Sequence, residues 1–115
     1  MSDKPIHTLN VPLFVALPVG VGTNTSSSLN VQEVISFCVQ AIWSSGSSLS
    51  GSIYLEASND DINYTQIPQT ILAISGASGS HMINIEKHAY GFVRLAVNLS
   101  AGSAVMDSRI NAKSK

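Results

Sequence analysis

The sequence predicts an all-β domain, an antiparallel two-sheet sandwich of about eight short strands, and three observations carry that prediction. Apolar residues alternate with a period of two in four separate runs. Clusters of Ser and Gly punctuate those runs at roughly 8–12-residue spacing, the rhythm of a sandwich or barrel. No segment sustains a helical stripe, and 115 residues suit one domain with a single core.

The elements follow in order. Residues 1–11 mix Asp3, Lys4, Pro5 and His7 ahead of any apolar run and are expected to be an N-terminal arm, with the sandwich over 12–115. A short strand is expected over 13–17, followed by a Ser/Thr-rich turn at 23–28. Residues 31–39 could carry an i, i+3, i+4 stripe, but their β-branched content and the alternation that begins at Ile35 favour a strand. Over 35–43 the odd positions are Ile35, Phe37, Val39, Ala41 and Trp43, one face of a half-buried strand. A Ser/Gly loop is expected at 44–52, then a strand with Ile53, Leu55 and Ala57 inward. Shorter strands are expected at 71–74 and 82–85, with a loop of small residues at 75–80 between them. Residues 92–98 and 104–112 alternate in the same way and are expected to form a hairpin through the loop 99–103, where Gly102 can take a left-handed conformation. Phe37, Trp43, Ile53, Leu55, Val93 and Leu95 are the expected core; jelly-roll and immunoglobulin-like strand orders fit equally well.

Composition narrows the function. Charged residues are only 11% of the chain, six Lys+Arg against seven Asp+Glu, so no cationic field exists to grip phosphates or anionic lipid. Nucleic acid is therefore not an expected partner. A near-neutral surface does little to keep copies apart, which points to self-association. The run 13–21 is short, broken by Pro18 and Gly20 and without an upstream basic cluster, so neither a signal peptide nor a membrane span is expected. Cys38 is the single cysteine, so stability must come from packing and backbone hydrogen bonds. It reads as a small apolar filler in mid-strand.

No constellation has the spacing that chemistry requires. Asn59, Asp60, Asp61 and Asn63 offer hard oxygens, but an EF-hand counted from Asp61 would put Gln66 where glycine belongs and Leu72 where the bidentate Glu belongs. A capped turn is the better reading. His7, His81 and His88 among 19 serines make a chance Ser/His/Asp set the expected outcome, and there is no nucleophile elbow. Zinc spacing is absent. The segment 75–80 lacks the Lys-Ser/Thr of a phosphate loop, and Glu56 has no second carboxylate for glycoside hydrolysis. No catalysis and no cofactor are expected. Trp43, Tyr54 and Tyr90 are the candidate interaction residues, because flat aromatic faces stack on sugars. Arg94 and Arg109 are expected to face one another or to make cross-strand pairs with Glu56 and Asp107.

Two stretches carry a resemblance: Leu55-Glu56-Ala57-Ser58-Asn59-Asp60-Asp61-Ile62-Asn63-Tyr64-Thr65-Gln66-Ile67-Pro68, and Tyr90-Gly91-Phe92-Val93-Arg94-Leu95 with the following strand to Lys113. Together they cover nearly half the chain. The pattern resembles small structural proteins of tailed phages and other bacterial viruses, departing at Asp61, where Gly is commoner, and at Tyr64, where Trp is commoner. It also echoes discoidin-like sugar-binding modules, which are usually longer. The viral resemblance implies a non-enzymatic virion protein, a capsid decoration, vertex or fibre-base subunit, whose partners are its own copies and other virion or capsid proteins. The second resemblance implies a carbohydrate-binding module with surface glycans as ligand.

Overall fold

The computed structural model describes residues 8–114. Nine strands are found among them and no helix: β1 (Thr8–Pro12), β2 (Leu17–Val19), β3 (Gly22–Thr25), β4 (Leu29–Asn30), β5 (Val34–Ser58), β6 (Thr65–Gln66), β7 (Leu72–Ser75), β8 (Gly79–Glu86) and β9 (Phe92–Ser114). All pairings are antiparallel. β9 lies between β5 on one side and β1, β2, β3 and β4 in succession on the other. β5 is flanked by β9 and, on its other side, by β8, β7 and β6. The chain is thus four ribbons, 8–30, 34–58, 65–86 and 92–114, laid side by side in the order first, fourth, second, third.

The ribbons are folded double. A straight 23-residue strand would span about 75 Å at ~3.3 Å per residue, yet both ends of β9 lie at one end of the molecule. The Val31 amide donates to the Gly91 carbonyl at 2.8 Å, the Val34 amide donates to the Val31 carbonyl at 3.1 Å, and Val34 is in register with Ser114. The fold-back converts one continuous ladder into two layers. One layer holds β1 and β2, residues 104–114, residues 34–44 and β8; the other holds β3 and β4, residues 92–99, residues 51–58, and β7 and β6. That is a jelly roll of eight arms, in keeping with the expected sandwich of about eight strands, but the first ribbon places strands at 8–12 and 22–25, where the sequence predicts an N-terminal arm and a turn.

The corners sit where Ser and Gly are densest. Register shifts between β5 and β9 occur at Ser44/Ser47, Ser47/Ser50 and Ser50/Gly51, and Gly102 takes φ +80° directly against Ser47 and Ser48. Such bulges bend a paired ribbon without cutting it. The hairpin expected between 92–98 and 104–112 therefore does not exist: the two segments are arms of one strand in different layers, and each pairs with β5. The composition of 99–103 marks a change of direction, but it produces a corner instead of a turn. The corresponding corner of the first ribbon falls at 20–21, between Val19, opposite Ala104, and Gly22, opposite Leu99. The segment 13–16, expected to lie within a strand over 13–17, is instead a loop between β1 and β2 inside the first layer. It is pinned to β9 by Phe14, whose amide donates to Ser108 Oγ at 2.9 Å, and by the Ala16 amide, which donates to Asp107 Oδ1 at 2.8 Å.

The core lies between the layers and takes in all six expected residues, Phe37, Trp43, Ile53, Leu55, Val93 and Leu95, in one cluster. Ile35 departs from its predicted face. A bulge between Val34 and Ser36 turns Val34 inward and leaves Ile35 exposed. Of the expected arm, residues 8–11 join β1 beside β9, and residues 1–7 lie outside the described residues.

Candidate functional site

The end of the sandwich where the ribbon ends meet gathers the loops 59–64 and 87–91. The first is organised by one carboxylate. Asp60 Oδ1 accepts from Ser58 Oγ at 2.7 Å and from the amides of Ile62 and Asn63 at 2.9 and 2.8 Å, while Oδ2 accepts from Asn63 Nδ2 at 2.8 Å. These donors, the Asn63 amide foremost, hold its carboxyl far below the usual carboxylate range. Both oxygens serve the turn, as the capped-turn reading expects. No cluster of three or more His, Cys, Asp or Glu that could hold a metal ion exists among the described residues.

The loop then closes over the outer face of the second layer. Glu56 and Arg94 are cross-strand neighbours, and Arg94 Nε donates to Glu56 Oε1 at 2.8 Å. The guanidinium carbon lies 3.8 Å from the centre of the Tyr64 ring, and the Tyr64 hydroxyl donates to Asp61. Burial above all, together with that bond to Asp61, raises the Tyr64 pKa. Tyr64 thus packs on an ion pair outside the sheet. Arg109 does not share the expected arrangement: it donates to Asn10 on β1, and Asp107 is taken by the Ala16 amide. Register, which places Arg109 opposite Gln40 and Asp107 opposite Ile42, is the reason.

The second loop carries an aromatic stack. The His88 ring lies edge-on to Phe37 at 5.1 Å between centroids and parallel to Tyr90 at 5.6 Å, and the Tyr90 amide donates to His88 Nδ1 at 3.0 Å. Tyr90 lines two hollows at this end. An open depression of about 560 Å³ is formed with Ser58, Asp60, Asn63, Gln66 and Pro68. A neighbouring one of about 390 Å³ is formed with Gln32, Asn59 and His88. Amide and carboxylate groups around one half-buried phenol ring can bind a polar, flat-faced ligand.

Of the three candidate interaction residues, only Tyr90 lines these hollows. Trp43 is 6% exposed, in the core against Gly79, where an added Cβ would lie 2.3 Å from the indole ring. It offers no surface face. Tyr54 is half-buried on the outer face of the second layer, in register with Ala96. The structure brings none of the three together. Sequence reasoning missed His88, Asn63 and Gln66 as neighbours of Tyr90. Only the double fold, which puts 59–64 and 87–91 at the same end, could reveal them.

No protein-family model matches the chain, and no curated protein sequence matches it significantly. Solved structures do match. The SPBc2 prophage-derived protein YomS superposes with a TM-score of 0.63 at 14% identity, covering 99% of each chain. A chain in the structure of infectious bursal disease virus Gt strain gives 0.65 at 10% identity, covering 97% of this chain and 32% of that one. A family 16 carbohydrate binding module-2 gives 0.52 at 10% identity, covering 78% and 70%. At these identities the likeness is one of fold, and folds of this kind host unrelated functions. No helix among the described residues is long and apolar enough to cross a membrane.

Proposed function

We propose that this chain is a non-enzymatic virion structural subunit, a capsid decoration, vertex or fibre-base protein, that works by self-association and docking on a capsid. The observation that carries this reading is the end-to-end fold likeness to a prophage-derived protein, with neither chain left over. The likeness to a chain of a virus structure supports the same class. Surface chemistry agrees with it: Val15, Ile42 and Met82 are exposed at 68%, 42% and 60% on a chain with a net charge of −1. Light scattering after size-exclusion chromatography tests the proposal, alongside co-sedimentation with the particles of its source. A stable oligomer that travels with particles is expected. A strict monomer absent from particles overturns the reading.

The depression beside Tyr90 favours a second reading, a carbohydrate-binding module, supported by the fold likeness to the family 16 module. It requires glycan binding that Tyr90→Ala abolishes. Silence on a glycan array removes it.

A further inference from the structure

Among the described residues, three of the four sheet edges are blunted by short strands or prolines and one is not. In the first layer, one edge is the pair of short strands β1 and β2, five and three residues long, with Pro12 and Pro18 in them. In the second layer both edges are fragments, four and two residues long in β3 and β4 and two and four in β6 and β7, with Pro68 between the last two. Short segments and prolines are the devices by which sheets refuse further strands.

β8 has none of them. It is eight residues long, without proline, and pairs with β5 in eight consecutive positions without a bulge. Its alternation is regular: Ser80, Met82, Asn84 and Glu86 are exposed on the outer face, while Ile83 is buried in the core. Among the described residues no strand pairs with its far edge; the neighbouring segment 67–71 makes no hydrogen bond to it, and Pro68, Gln69 and Thr70 face residues 81–85 across an open hollow of about 300 Å³. Every second residue along that edge therefore presents an unpaired amide and carbonyl.

Resting on the self-association proposed above, we infer that β8 pairs antiparallel with β8 of a second copy, extending the four-strand layer into a continuous eight-strand sheet across a two-fold axis. In such a pair, opposed residues share a face, so positions of like parity must meet. Centring on Met82 sets the exposed thioether against its own copy and Ser80 against Asn84, with Ile83 opposite His81 on the inner face. Glu86, the sole Asp, Glu, Lys or Arg of the strand, then falls opposite Ser78. Centring on Asn84 or beyond would bring Glu86 opposite Met82 or nearer to its own copy. Charge and apolar exposure together select a second copy of this chain in the Met82-centred register.

Met82→Lys tests the pairing, because a charge facing its own copy disfavours an edge while leaving a residue 60% exposed free to stay in solvent. The wild-type protein is expected to associate at about 100 μM, with Met82→Lys weakening the dimer at least about tenfold at unchanged circular dichroism. In a Cys38→Ser background, Met82→Cys is expected to form a disulfide-linked dimer under mild oxidation, and Val15→Cys is not. An oligomer that survives Met82→Lys intact, or a Met82→Cys variant that stays uncross-linked, overturns the β8 pairing alone. A wild-type monomer at this concentration overturns both the pairing and the self-association on which it rests.

Discussion

Replacing Gly102 with Ala tests the double fold at its tightest point. Gly102 takes φ +80°, and a Cβ there would meet the Ser47 carbonyl oxygen at 2.3 Å and the Ser48 carbonyl oxygen at 2.5 Å. The conformation alone costs an L residue about 1–2 kcal/mol, and forcing a methyl against fixed backbone adds about 1–3 kcal/mol. For 115 residues, an unfolding entropy of about 0.24 kcal/mol/K converts each kcal/mol to about 4 °C. Gly102→Ala should therefore lower the melting temperature by about 8–20 °C. Gly76 supplies the control, since it has φ +87° but nothing within 4 Å of an added Cβ. Gly76→Ala should lose only the conformational part, about 4–8 °C. Differential scanning calorimetry on the two variants separates strain from contact. Equal losses would refute the close crossing of β5 and β9 at the corner.

Further outcomes follow from the same geometry. Ser108→Ala, which strands the Phe14 amide in the buried loop between β1 and β2, should cost about 1–3 kcal/mol in denaturant titration. Arg94→Ala should cost about 1–2 kcal/mol by removing a half-buried ion pair and its stack on Tyr64, and Arg94→Lys should recover only part, because an ammonium lacks the flat face. Asp60 has its carboxyl held below its ordinary value of 3.8, so its contribution is complete above that pH and is lost as pH falls further. Asp60→Asn should flatten the acid limb of a stability–pH curve below about pH 4 while leaving the neutral region parallel to wild type.

The strand faces were legible because burial on one side imposes a period of two, and Phe37 to Trp43, Ile53 to Ala57 and Val93 to Val97 all turn inward on that signal. The sandwich follows from strand number and spacing. What the residues do not announce is continuity. Ser and Gly at 44–52 and 99–103 look the same whether a ribbon reverses beside itself or bends with its neighbour still attached. Only pairing between residues such as Ser47 and Ser103 distinguishes the two. The site suffers the same loss. Tyr90 is visible as an aromatic among turn residues, but its partners come from 58–68, brought close by that bend. Trp43 suits both a core position and a surface ring by pattern alone, and its fit over Gly79 assigns it to the core.

The placement of β9 has a consequence for biosynthesis. This last ribbon separates the first from the second in both layers, and its final residues meet partners synthesised some eighty positions earlier, as Ser114 does Val34. Until the C-terminal strand leaves the ribosome, the 8–30 ribbon has no strand to lie against. Maturation is then a single late event dominated by distant pairings, a slow class of folding. A nascent chain stalled before residue 92 would expose the flank of β5 that β9 covers to any passing strand, and would be a substrate for chaperones or for aggregation.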